Sequence, residues 1–180
     1  MNQKSSIRRL TALAALALLP GVVSAADYNY VEGGFIQRDT YGRSDAGVRV
    51  AGMLGIHPNV AAYSEFSNND ELNQFSVGAV FHTPINSEFD LFAGGGLEYV
   101  DIGQADDLGY GLRGGLHFTP SKTIELTPEV RYFNAVGDGR VALRLSGAYS
   151  IAPRFALVAA VQGGDDDRIE AGLRYRFGGV

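Results

Sequence analysis

The sequence predicts an all-β chain folded as a closed, up-and-down antiparallel barrel of ten strands, with eight as the alternative count. Three observations lead to this prediction. Apolar and polar residues alternate along ten runs, as they do when successive side chains of a strand point to opposite faces. Turn residues separate these runs at a spacing of about fifteen residues. No run shows the helical period of about 3.6 residues.

The run 168–177 shows the alternation most clearly. One face carries only apolar residues, and two aromatic residues stand at its end. The opposite face carries charged residues and one glycine. The apolar face consists of Ile169, Ala171, Leu173, Tyr175 and Phe177, and the other of Arg168, Glu170, Gly172, Arg174 and Arg176.

The remaining runs follow the same scheme. The predicted strands, in chain order, are 27–37, 46–56, 60–67, 73–82, 88–100, 108–118, 123–133, 140–150, 155–162 and 168–177. Their connections alternate between short turns with proline and longer acidic loops of about five to eight residues. An even strand count places both ends of the barrel chain on one side. Pro128 interrupts one run and predicts a bulge there, because proline cannot donate to the ladder.

Residues 1–26 are predicted to be a secretory signal peptide, and residues 27–180 to form the barrel. Lys4, Arg8 and Arg9 make a basic head, an apolar run follows, and small residues surround the cut after Ala25 or Ala26. Removing this segment leaves twelve Lys and Arg against 20 acidic residues, a formal charge of −8. Such an acidic chain argues against nucleic acid as a partner. Without cysteine, disulfides and thiolate metal sites are excluded.

The apolar face is predicted to meet lipid. A soluble β-sandwich also alternates, but these runs have about the ten residues that cross a bilayer when tilted. Aromatic residues gather near the ends of the runs, as in the two interfacial girdles of membrane barrels. The basic residues beyond the signal are eleven Arg and the single Lys122, and arginine suits charges packed against carboxylates.

These features resemble the small outer-membrane β-barrel proteins of Gram-negative bacteria. The opening residues 28–35, Tyr-Asn-Tyr-Val-Glu-Gly-Gly-Phe, are similar to a group of such barrels from xanthomonads and their relatives. The resemblance implies a location in the outer membrane with both termini periplasmic, and contact with its lipid. It also implies that the barrel-assembly machinery reads Leu173, Tyr175 and Phe177 in the last strand. It implies no enzyme activity, no cofactor and no identified external ligand.

The polar face is predicted to line the bore. Its charged members are Glu32, Arg49, Glu65, Asp90, Glu98, Arg113, Glu125, Glu129, Arg131, Arg140, Arg144, Glu170, Arg174 and Arg176. All of these except Asp90, Glu125 and Arg140 are expected to form an ion-pair network that fills most of the bore. Folding the strands predicts the pairs Glu129–Arg144, Glu32–Arg49 and Glu32 with Arg174 or Arg176. The alternative is a narrow, charge-lined pore for small solutes.

Catalytic and metal sites are not predicted. His57, His82 and His117 fall at one end of the barrel, where His82 and His117 are expected to be polar lining, with a metal between these two as the alternative. The glycines at 94–96 fall inside a strand with no following helix, so they suit close packing and not a phosphate loop. Asp165, Asp166 and Asp167 are weak candidates for Ca²⁺, which needs six or more oxygen ligands.

Overall fold

The computed structural model describes residues 28–40, 43–70, 72–103, 105–135, 137 and 139–177. The predicted signal peptide, residues 1–26, lies outside the described residues. No helix among the described residues has the length and apolarity that spanning a membrane requires.

Ten strands account for most of the described chain. They are β1 (Tyr30–Thr40), β2 (Arg43–His57), β3 (Val60–Asn69), β4 (Leu72–Pro84), β5 (Phe89–Ile102), β6 (Ala105–Ser121), β7 (Ile124–Asn134), β8 (Arg140–Ala152), β9 (Phe155–Gly164) and β10 (Asp167–Arg176). Each contains most of one predicted run. The strand count and the all-β class are therefore confirmed.

The strands form a closed antiparallel barrel in which each pairs with its neighbours in sequence. Closure occurs between β1 and β10, where Glu32 stands opposite Arg174 and Phe35 opposite Ala171. The described ends of the chain meet at this seam, because the Phe177 amide donates to the Asn29 carbonyl at 3.0 Å. The up-and-down topology is confirmed.

The predicted difference in loop length is wrong. Two residues separate β1 from β2 and two separate β9 from β10, although both connections were expected to be longer acidic loops. The longest connection, between Asn134 and Arg140, spans five residues. Strand pairing needs only backbone groups, so it continues through polar residues after the apolar alternation has stopped.

The bulge predicted at Pro128 is also absent. The register between β7 and β8 runs evenly through Pro128, which stands opposite Leu145. Between β6 and β7 the ladder skips the residues facing Pro128 but resumes in the same register, and the shift lies between Phe118 and Ser121. Proline removes one donor from the ladder here without adding a residue to the strand.

Glycines allow the backbones of β4 and β5 to approach each other closely. A Cβ atom on Gly94 would lie 2.2 Å from the carbonyl oxygen of Ala79, and one on Gly96 would lie 2.1 Å from that of Val77. No other residue fits where two backbones come this close. The predicted role of these glycines in close packing therefore matches their position.

The barrel carries its apolar side chains outside and its charged side chains inside. Leu143 is 64% exposed and Leu173 49% exposed, whereas Arg144 and Arg174 are 7% and 5% exposed. Aliphatic and aromatic side chains cover the outer face of every strand. A soluble β-protein has the opposite arrangement, because its apolar face packs into the core.

Candidate functional site: the interior of the barrel

Glu65 on β3 is a central acceptor inside the barrel. Arg49 on the neighbouring β2 donates to it at 3.0 Å. Arg131 of β7 reaches it from across the bore at 3.3 Å, and Arg168 of β10 does so at 3.4 Å. One carboxylate therefore joins side chains from widely separated parts of the wall.

Arg49 extends the network in two further directions. Its guanidinium lies 2.9 Å from Glu32 on β1 and 3.3 Å from Glu170 on β10. Glu170 also receives two parallel hydrogen bonds from Arg144, at 2.6 and 2.7 Å. Such bidentate pairs fix both side chains in one geometry.

Glu129 and Arg144 face each other in register, as expected, but they are only loosely paired. Their charged atoms are 4.0 Å apart. Arg144 turns towards Glu170, and Arg131 approaches Glu129 more closely, at 3.1 Å. Cross-strand register thus brings residues near each other, whereas the choice of partner depends on the rest of the bore.

Arg174 extends the network to the end of the barrel at which the described chain ends meet. It donates to Glu32 at 2.7 Å and, across the bore, to Glu125 at 2.7 Å. Its guanidinium also lies over the ring of Tyr30, at 4.1 Å. Arg176 lies 3.7 Å from Glu125 and not beside Glu32. Of the two arginines considered for Glu32, Arg174 is the one in contact.

Glu98 and Arg113 occupy the margin of this network. Glu98 accepts hydrogen bonds from Ser76 at 2.5 Å and Gln74 at 3.3 Å. Arg113 lies 3.5 Å from Glu129 and stacks on the Tyr63 ring at 3.9 Å. Glu98 is therefore bound by uncharged polar side chains and not by an arginine, and Arg113 contacts an aromatic ring in addition to one carboxylate.

Sequence reasoning left out several members of the network. Arg38 fell in a predicted loop, but β1 continues through it and its guanidinium pairs with Asp166 at 3.0 Å. Glu125 was assigned to the inner face but not to the network. Arg168 was recognised on the charged face of its run and could have been included from that alternation alone. Arg140, also expected to face inward, lies half-buried at the start of β8.

A second, apolar cluster fills part of the bore and was not predicted. It consists of Tyr28, Met53, Ala61, Tyr63, Val80 and Phe92, with Tyr30 packed against it. These residues come from β2 to β5 and from the segment before β1. The sequence does contain a sign of this cluster, because these residues are apolar although they fall on the polar face of their strands.

Tyr28 anchors this cluster. Its ring stacks on His82 at 3.9 Å, and its hydroxyl donates to Asp90 at 2.9 Å. His82 contacts the other oxygen of Asp90 at 3.2 Å. Burial and the adjacent Asp90 carboxylate raise the pKa of the Tyr28 phenol. His117 meets the edge of the same ring at 5.3 Å, so both histidines pack against Tyr28.

Asp165, Asp166 and Asp167 point to separate partners. Asp165 accepts from the Val141 amide at 2.8 Å, and Asp167 accepts from the Gly164 amide at 3.0 Å. Asp166 pairs with Arg38, a buried side chain of β1. Within the described parts of the chain, no three His, Cys, Asp or Glu residues are placed to hold a metal ion.

Space inside the barrel is distributed unevenly. A cavity of about 70 Å³ lies within the ion-pair network, and one of about 10 Å³ lies beside Glu98. At the end where the described chain ends meet, a vestibule of about 590 Å³ is lined by Tyr28, Asp90, His117 and Glu125, among others. Most of this space therefore lies in the vestibule at that end, and little of it lies within the ion-pair network.

The predicted assembly residues are Leu173 and Tyr175 of β10 and Phe177, which directly follows the strand. Leu173 and Phe177 are exposed on the outside of the barrel. Tyr175 packs against Phe155 of β9, with their ring centres 5.2 Å apart. The three side chains therefore present an apolar outer surface.

No protein-family model and no curated protein sequence matches the chain. Among solved structures, it is similar to the KdgM porin, with a TM-score of 0.53 and 16% identity over 82% of this chain and 99% of that one. A second structure, the KdgM porin in complex with disordered oligogalacturonate, gives 0.52 and 10% over 83% and 99%. The NanC porin gives 0.52 and 9% over 82% and 100%. At these identities the likeness shows a shared barrel fold, and the resemblance to the xanthomonad group stays a prediction.

Proposed function

We propose that this chain is an integral outer-membrane barrel. The observation that carries the proposal is the aliphatic outer surface around a charged interior. Such a surface is stable in contact with the hydrocarbon core of a bilayer. Outward aromatic pairs stand near both ends of the barrel: Phe89–Phe118 at one end and Tyr110–Tyr132 at the other. Their positions suit the two membrane interfaces. By the resemblance of the sequence, both termini face the periplasm.

The proposed role is structural or in surface interaction, without catalysis, and the bore is closed at rest. Ion pairs cross the bore from Glu65 to Arg131 and from Arg174 to Glu125. The cavity between them is only about 70 Å³. A permeating solute would have to separate several of these buried pairs, which leaves charges without partners.

A narrow pore for small solutes is the second candidate. The similar structures include porins, and the vestibule of about 590 Å³ gives solvent a wide entrance at one end. In this alternative the ion pairs would rearrange to pass a small solute along a charged path.

Conductance in a planar bilayer separates the two candidates. The purified barrel is first refolded into vesicles, and a heat-dependent shift in gel migration verifies insertion. The proposed closed bore predicts no channel steps for the wild type. The double variant Arg49→Gly with Glu65→Gly removes a central pair and is expected to conduct, whereas the outward variant Leu173→Ala stays silent. Regular steps from the wild type would contradict the closed bore and favour the pore.

The barrel-assembly machinery is the proposed partner during insertion. The outward apolar end of β10, with Leu173 and Phe177 exposed, supports this part of the proposal. Phe177→Ser is expected to lower the amount of barrel in outer-membrane fractions of cells while leaving refolding into vesicles nearly unchanged. Equal losses in both assays would indicate a folding defect and contradict recognition by the machinery.

A further inference from the structure

Two spaces inside the barrel are separated by a thin partition. One is the cavity of about 70 Å³ within the ion-pair network, and the other is the vestibule of about 590 Å³. His117 of β6 lines both spaces. Arg174 lines the cavity, and its partner Glu125, 2.7 Å away, lines the vestibule. The two spaces therefore come within one side chain of each other.

Tyr28 completes the partition. It borders the vestibule, although only 1% of its surface is exposed. It belongs to the apolar cluster with Met53, Tyr63 and Phe92, and all three of these line the cavity. Its ring also meets His117, the residue that lines both spaces, at 5.3 Å. The ring of Tyr28 therefore lies between the vestibule and the cavity.

Two parts of the partition are held firmly. His117 belongs to β6, and its Nδ1 atom is 2.9 Å from the hydroxyl of Thr127 on β7. Arg174 of β10 and Glu125 of β7 form an ion pair, and separating them would deprive each charge of a partner. Displacing either part would therefore disturb a paired strand or an ion pair.

Tyr28 is attached in a different way. It lies before the start of β1, and the carbonyl of Asn29 accepts a hydrogen bond from the Phe177 amide at 3.0 Å. The Tyr28 side chain is held by a hydrogen bond to Asp90 at 2.9 Å and by stacking on His82 at 3.9 Å. A rotation of the chain ahead of Asn29 would withdraw the ring and leave the strand pairing intact.

We propose that Tyr28 is the gate between the vestibule and the cavity. When its ring withdraws, a solute of a few heavy atoms enters the interior from the vestibule, while the ion pairs around the cavity stay in place. The inference rests on the proposed closed bore and deepens it, because it names the side chain whose movement gives access to the interior.

Thiol accessibility tests this proposal. The chain has no cysteine, so a single introduced thiol reports access to its own position. Ser146 and Ser150 lie on the inner face of β8, and Ser146 lines the cavity whereas Ser150 lines the vestibule. Ser146→Cys and Ser150→Cys are therefore matched probes. Each is made with and without Tyr28→Ala, and the reaction with methyl methanethiosulfonate is followed by mass spectrometry on barrels refolded into vesicles.

Without a second substitution, the thiol at position 146 should react far more slowly than the thiol at position 150. Tyr28→Ala should raise the rate at position 146 by about tenfold, because both the hydrogen bond and the stacked ring are lost. The rate at position 150 should not change. Tyr149→Ala is the control, since it removes a tyrosine that is exposed on the outer face of the same strand, and it should alter neither rate.

An unchanged rate at position 146 in Tyr28→Ala would overturn the gate alone. Equal rates at positions 146 and 150 without Tyr28→Ala would instead contradict the closed bore. Ser67→Cys reports general loosening, because Ser67 is buried on β3 and lies outside both spaces. A faster reaction there in Tyr28→Ala would also overturn the gate. If Tyr28→Ala shows no heat-dependent gel migration, Tyr28→Leu replaces it, and the same increase at position 146 is required.

Discussion

Two clusters of different chemistry lie inside the barrel. Arginine and carboxylate side chains connect β1, β2 and β3 with β7, β8 and β10, and several of their pairs cross the bore. The apolar cluster lies along β2 to β5 and receives Tyr28 from outside the strands. The first depends on each charge having a partner, whereas the second depends on filled volume. The two should therefore respond differently to the loss of one side chain.

Removal of Glu65 should have the largest effect on stability. Glu65→Ala leaves Arg49, Arg131 and Arg168 each without one carboxylate in a buried setting. We expect a loss of about 3–5 kcal/mol in the free energy of unfolding. Urea titration of the barrel in lipid vesicles measures it.

Glu65→Gln is the matched control, because it keeps the shape and the acceptor oxygen but removes the charge. It should also destabilise the barrel, although by less than Glu65→Ala. If the alanine variant unfolds at the same urea concentration as the wild type, solvent satisfies these arginines and the network does not stabilise the barrel.

Truncation within the apolar cluster should cost less. Met53→Ala removes buried volume, for which losses of about 2–5 kcal/mol are typical, and we expect about 2 kcal/mol here. The value lies at the lower end because Met53 borders the cavity of about 70 Å³, where neighbouring side chains can relax. The same urea titration applies, with Met53→Leu as the volume-conserving control. A loss equal to that of Glu65→Ala would remove the distinction between the clusters.

A substitution of Tyr28 measures the contribution of the hydrogen bond between the apolar cluster and Asp90. Tyr28→Phe keeps the stacking ring but removes the hydroxyl that donates to Asp90, and we expect a loss of about 1–2 kcal/mol near neutral pH. The folded-state pKa of Tyr28 is raised, so its contribution is complete below the unfolded value of about 10 and is lost as pH rises above it. Unfolding of both proteins between pH 7 and 11 measures this effect. Wild type and variant should converge at alkaline pH, and a constant difference would contradict the assignment.

The sequence was sufficient to predict the strands of the barrel and the direction of their side chains, but not all of the contacts inside the barrel. Strict alternation predicts which way Leu143 and Arg144 point, because neighbouring side chains on a strand must face opposite sides. It also predicts that Glu32 approaches Arg49 and either Arg174 or Arg176, since these strands are neighbours, and Arg174 is the one in contact. The extension of β1 through Arg38 could not be predicted, because the apolar alternation ends before the backbone pairing does.

Contacts across the bore were less predictable than contacts between neighbouring strands. Arg131 meets Glu65 because the closed wall brings β7 opposite β3, and no local pattern encodes that distance. The apolar cluster was missed for a related reason. The alternation puts Tyr63 and Phe92 on the polar face of their strands. Which other side chains they contact depends on the strands that face them across the bore, and the sequence pattern does not identify those strands.

The smallest predicted effect concerns the contact between the two clusters. Arg113 stacks on Tyr63 of the apolar cluster and lies 3.5 Å from Glu129 of the network. A double-mutant cycle with Tyr63→Leu and Arg113→Met isolates the stacking, for which we expect a coupling of about 1 kcal/mol. Urea unfolding of the four proteins in vesicles supplies the free energies. A coupling near zero would mean that this stacking does not link the two clusters energetically, whereas the expected value would show that Arg113 couples the charge network to the apolar packing.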